Sequence, residues 1–258
     1  MALSYLETSD LSLAKALLEN PGFASKVGGY LGSPLEAGLN KLPESWNAVI
    51  TTTAQKSIKR ALSIALLTMD VGMVPPSNWW HKLAVGATGA IGGIFGLSAL
   101  AIELPVSTTI MLRSIADIAR SEGEDLCSPD TKLQCLQVLA LGWKSSGTDR
   151  VETSYFTVRT ALASAVSEAA AHLAKKGLSL EGAPAIVKLV TLVASRFSII
   201  VSEKAATQAV PLVGALGGAA INTLFINHFQ DMGRGHFIIR RLERFYGQEE
   251  IRRLYEEF

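Results

Sequence analysis

The side chains able to do acid, base or ligand chemistry in this chain are few, and they stand in or beside uncharged stretches. Glu103 follows directly on a charge-free run, and Arg113 and Asp117 come after it, one helical turn apart. Farther on, Asn222, Asn227, His228 and Asp231 fall within or just past a second charge-free run. Charges in apolar surroundings are costly unless paired, so such residues mark either satisfied core contacts or a site. A carboxylate and a histidine can serve as acid and base, so Glu103 and His228 are the residues a lipid-directed hydrolase would use. His228 and Asp231 are three apart and can reach one ligand from a single helix face. A metal would need a further ligand, with Glu103 or His236 as candidates, and a buried histidine bonded to a neighbouring helix is the commoner case. Neither a metal nor another cofactor is expected. The structural reading of the first group has Pro105 starting a helix, Glu103 near its positive end, and Arg113–Asp117 as an internal ion pair.

Familiar catalytic templates fail one by one. Gly96-Leu97-Ser98-Ala99-Leu100 lacks the second glycine of a nucleophile elbow and has no preceding strand. Gly86 to Gly93 spells GxxGxxGG, which is neither a dinucleotide nor a phosphate-loop pattern. Cys127 and Cys135 do not have a zinc-site spacing, and two cysteines argue for a reducing cytoplasmic setting over a disulfide framework. With 24 basic against 23 acidic residues, the chain lacks the basic excess of a nucleic-acid binder. The first twenty residues show no basic and then apolar region, so no cleaved signal peptide is expected.

The elements that must position these residues are helices. Strand-like alternation is missing, whereas Ile58, Leu62 and Leu66 recur four apart, with Lys56, Lys59 and Arg60 turned elsewhere. Ile238, Leu242 and Phe245 mark one later apolar face, and Ile251, Leu254, Tyr255 and Phe258 the next. Ser33-Pro34, Pro43-Glu44-Ser45 and Ser128-Pro129 read as helix starts. The expected fold is all-α, a multi-helix bundle of about ten helices with two central glycine-rich apolar segments. Breaks fall at Val74–Ser77, Ser145–Asp149 and Gly177–Pro184. Residues 1–50 read as an N-terminal helical extension and 51–258 as one domain, with a faint duplication of 56–125 in 158–250 around Val85-Gly86-Ala87 and Val213-Gly214-Ala215.

The two segments, Leu83–Ile102 and Ala205–Gln230, carry no charge, and hydropathy over the chain averages +0.28. About 20 such residues suffice to cross a hydrocarbon core. Each glycine weakens a helix interior by roughly 1 kcal/mol, so the five from Gly86 to Gly96 need a compensating contact. Gly89/Gly93, Gly92/Gly96 and Gly214/Gly218 have the spacing that lets helix backbones approach closely. Trp79, Trp80, His81 and Lys82 would suit an interfacial anchor before the first segment. The competing reading buries both segments at the centre of a soluble bundle. From Asp231 onward six arginines meet six acids, which reads as a solvated face of helical salt bridges. A role for Arg234, Arg240 and Arg241 on lipid headgroups is the alternative.

The order Gly92-Gly93-Ile94-Phe95-Gly96-Leu97, Glu103-Leu104-Pro105, Leu112-Arg113-Ser114-Ile115-Ala116 and Ile118-Ala119 resembles the EcsC family of bacterial proteins. Val210-Pro211, Gly214, Gly217-Gly218 and Asn222, with a short arginine-containing helix after them, continue the resemblance, which runs from about Lys56 to the C-terminus. The chain departs from the family in having Glu103 where Asp is usual and Glu122 where an aromatic precedes the glycine. The resemblance implies an all-helical, membrane-associated protein, and it brings no enzymatic residues with it. The expectation is a non-enzymatic cytoplasmic protein that binds a membrane lipid surface or a membrane protein. Glu103, Arg113, Asn222 and His228 would organise its interior. A lipid-directed hydrolase and a bilayer-inserting toxin-like protein are the rival expectations.

Overall fold

The computed structural model describes residues 3–19, 23, 26, 29, 45–68, 96–142, 154–176, 183–208 and 211–258. Among them are eight helices and no strand: α1 (Tyr5–Glu19), α2 (Ser45–Thr68), α3 (Gly96–Ser121), α4 (Pro129–Val138), α5 (Tyr155–Lys176), α6 (Pro184–Gln208), α7 (Pro211–Tyr246) and α8 (Gln248–Glu257). Gly86, Gly89, Gly92 and Gly93, the Trp79–Lys82 anchor, the Val74–Ser77 and Ser145–Asp149 breaks, Ser33-Pro34 and Val85–Ala87 lie outside the described residues.

Helical periodicity translates directly into burial. Ile58, Leu62 and Leu66 of α2 are buried, while Lys56, Lys59 and Arg60 are exposed. That apolar face is covered by α3 and α6, and α7 packs against α3, α6 and α1. Four phenylalanines fill the centre, with ring centroids 5.5 Å apart for Phe23–Phe225 and Phe197–Phe229 and 5.3 Å for Phe225–Phe229. The N-terminal segment is part of this core: Leu11, Ala14 and Leu18 of α1 are buried, and Gly235 of α7 lets α1 lie close. A Cβ at Gly235 would stand 2.6 Å from Leu18 Cγ and 3.1 Å from the Ala14 carbonyl oxygen.

Several boundaries follow the sequence. Pro129 opens α4 after an extended Ser128, although the Ser128 hydroxyl caps no backbone N–H. Gly123 and Gly247, at φ +78° and +87°, end α3 and α7 in a conformation that glycine adopts without strain. Two readings need correction, and one charge-free run is divided. Pro105 does not start a helix but lies inside α3, because Leu104, Thr108, Met111, Leu112 and Ile115 bury one continuous face that outweighs the lost hydrogen bond. The run Ala205–Gln230 is not one helix, since α6 ends at Gln208 and Pro211, pre-set for a first turn, begins α7. Phe245 does not join the Ile238–Leu242 face in the core; it is 73% exposed, as Phe258 is at 55%.

Candidate functional site

The innermost charged group is one the periodicity hid. Lys204, near the end of α6, is fully buried, and its ammonium is bonded to the Glu103 carboxylate of α3. The ammonium also lies 4.6 Å from the centroid of the Phe225 ring of α7, a geometry that attracts a cation. Burial pulls Lys204 below the ordinary lysine range, against the opposing pull of Glu103. Glu103 is therefore a mid-helix carboxylate held by an ammonium from another helix, rather than a cap. Lys204 follows Phe197 and Val201 on one apolar stripe, and that position was the available signal.

The other candidates do not gather around this pair. Arg113 and Asp117 lie ten and fourteen residues beyond Glu103 on the same helix, about 15 and 21 Å along its axis. Asp117 stands on the outer side and meets Arg120 at 3.6 Å, and its partial burial raises its carboxyl above the usual range. Arg120 and, less strongly, Arg113 both pull that carboxyl back down. Asp231 of α7 is bonded to Lys26 at 2.9 Å. Asn222, partly buried one turn before Phe225, has a buried Oδ1 with no hydrogen-bond partner.

His228 is 1% exposed, and neither of its ring nitrogens has a hydrogen-bond partner. Phe23 and Phe229 flank its ring, and a Cβ at Gly142 would meet Nε2 at 2.5 Å. Burial, with a further contribution from Lys26, pushes the imidazole down to about 3, so it is neutral at pH 7. His236 is buried too, but its Nδ1 lies 2.9 Å from the Tyr155 hydroxyl. Arg159 donates to that hydroxyl at 3.1 Å and grips Glu243 with two bonds of 2.7 and 2.9 Å. Burial first, then Arg159 and Arg240, holds His236 well below the usual histidine range. Among the described residues no group of three or more His, Cys, Asp or Glu is placed to hold a metal ion.

Three of the four arginines of α7 bind groups on other parts of the fold instead of forming a solvated face, while Arg234 is exposed. Arg240 donates to Glu124 at 2.8 and 3.2 Å and to Asp130 at 3.0 Å, and Arg244 also bonds Glu124. Arg241 bonds Asp10 of α1 at 2.6 Å and lies 2.7 Å from Glu122. Against the upward push of its burial, Arg240 and Arg244 hold Glu124 below the usual carboxylate range. Together these arginines fasten the α3–α4 connection and α1 onto α7. The expected helical salt bridges do form on α8, where exposed Arg252 and Arg253 pair with Glu256, Glu250 and Glu257.

Gly96 opens α3, and Gly214 and Gly218 lie one turn apart in the first third of α7. An open cleft of about 550 Å³ between the start of α1 and α8, lined by Leu3, Leu254 and Phe258 with Arg253 and its two glutamates, contains none of the candidate residues. No curated protein and no solved structure matches the chain. The EcsC protein family model matches residues 24–242, starting well before Lys56 and stopping short of α8. With most of its length matched, and with Glu103, Lys204 and the α7 residues from Asn222 to Arg241 inside that span, the chain belongs to the EcsC protein family.

Proposed function

We propose that this is a non-enzymatic helical protein that associates with a membrane surface, or with a protein in that membrane, from the cytoplasmic side. The observation that supports this is α6. Its residues Pro184–Thr207 are long and apolar enough to cross a bilayer, with an 18-residue window of mean hydropathy 1.8, yet only half of that window is buried by the rest of the chain. Its exposed row is Pro184, Val187, Lys188, Thr191, Leu192 and Ser195, and Lys188, the one charge on it, is paired with Glu168 at 3.2 Å. An uncovered, nearly charge-free helix face suits a low-dielectric neighbour. The geometry favours this over the hydrolase reading, because the Glu103 carboxylate is taken by Lys204 and the His228 ring is closed over by Gly142.

Membrane fractionation of cells expressing the protein, followed by high-salt and alkaline carbonate washes, tests the proposal. Sedimentation with membranes and release by either wash is the expected result and means surface association. Resistance to both means insertion, and then leakage of dye from liposomes would favour the bilayer-inserting alternative. Recovery wholly in the soluble fraction overturns the membrane reading.

A further inference from the structure

Pro105 lies inside α3 and has no N–H to give to the carbonyl of Ala101. Just beyond it, the hydroxyls of Ser107, Thr108 and Thr109 turn back onto the carbonyls of Glu103, Leu104 and Pro105 at 3.0, 2.6 and 2.8 Å. Back-bonding of this kind loosens and bends helices, so the backbone of α3 is weakest at this turn. Glu103 stands just before the proline, and its bond to Lys204 ties the first two turns of α3 to α6. A buried pair of this sort adds little net stability over an apolar pair of equal volume, and holding one of two arrangements is its best-attested use. Its two ends are unequal: the Lys204 side chain is fully buried, whereas that of Glu103 is 13% exposed and open to water.

We propose that Pro105 is a hinge and the Glu103–Lys204 pair its latch. While the pair holds, Gly96–Leu104 continues the line of α3; when it breaks, that segment swings away from α6 and delivers the charge-free Gly96–Ile102 to a bilayer. The delivery step rests on the membrane reading above, whereas the latch and hinge stand without it.

Hydrogen exchange of the full chain, read by mass spectrometry, tests the device. In Glu103→Gln, exchange across 96–104 rises at least about tenfold more than it does across 106–121. Adding Pro105→Ala to that variant returns the missing hydrogen bond and cuts the excess at 96–104 over 106–121 to about threefold or less. Unchanged exchange across 96–104, or an equal rise along all of α3, overturns the latch. Should Glu103→Gln fail to fold, Pro105→Ala alone decides: slower exchange at 96–104 supports the hinge, and no change overturns it. Co-sedimentation with phosphatidylcholine–phosphatidylglycerol vesicles separates the two readings. Greater binding by Glu103→Gln supports delivery; raised exchange with no added binding keeps the latch and removes the membrane role.

Discussion

The arginine side of α7 and the Glu103–Lys204 pair both join distant helices by opposite charges, but they satisfy those charges differently. Arg240 has two carboxylates, Glu124 has two arginines and the Thr131 hydroxyl, and Arg241 touches both α1 and the α3–α4 connection. Loss of one member leaves the rest partnered, with Asp130, Arg241 and Arg244 within reach of water. Lys204 has one carboxylate and one aromatic ring, and no exposed surface. The first arrangement degrades gradually, and the second fails at once. Partner number and access to water, more than distance, set how much each bond matters.

The largest effect should come from the buried side. Glu103→Gln leaves a buried ammonium without its counter-charge and should lower stability by about 3–5 kcal/mol in denaturant titrations. Glu103→Leu with Lys204→Met should recover most of that loss, since an apolar pair needs no desolvation. A single-variant loss below about 1 kcal/mol would erase the contrast with the arginine side.

Gly142→Ala probes the same closed interior without touching a charge. At φ +84° the backbone strain alone should come to about 1–3 kcal/mol, and the new methyl would strike the His228 ring. A melting temperature equal to wild type would show that the ring is not held there.

Arg240→Ala should lose about 1.5–3 kcal/mol, whereas Arg253→Ala on exposed α8 should leave the denaturation midpoint near wild type, although both arginines make several carboxylate bonds. Equal losses would mean that burial is not what separates the two faces.

Acid provides the last test. His228 and His236 are neutral in the folded chain and titrate near 6.5 when unfolded, so below that pH the unfolded state binds more protons. Stability should therefore be level above pH 6.5 and fall steadily as pH drops toward about 3, the folded value for His228. At pH 5 the His228 contribution to that loss is about 2 kcal/mol. His228→Met should reduce this slope; an unaltered slope would assign it to His236 and the carboxylates.

How much was legible varied by residue. The α2 face, the Ser128–Pro129 start and the helix ends at Gly123 and Gly247 were readable because each depends on neighbours within one or two turns. Glu103 stood out as the charge next to an uncharged run, but its partner did not. Lys204 sits beside Glu203 and one residue before Ala205, where an adjacent acid and base look like surface. The Arg113–Asp117 relation was chosen by spacing alone, and spacing did not show that Arg120, one turn on, also holds Asp117.

By itself, then, the chain's order of residues determined an all-helical bundle, its apolar stripes, several of its stops and its family, since periodicity, glycine and proline act locally. Tertiary structure decided which carboxylate meets which cation, that α3 runs through Pro105, and that Arg240 and Arg241 fasten other segments onto α7. Those outcomes depend on which helices pack together, and contacts 101, 110 and 116 residues apart leave no local pattern to read.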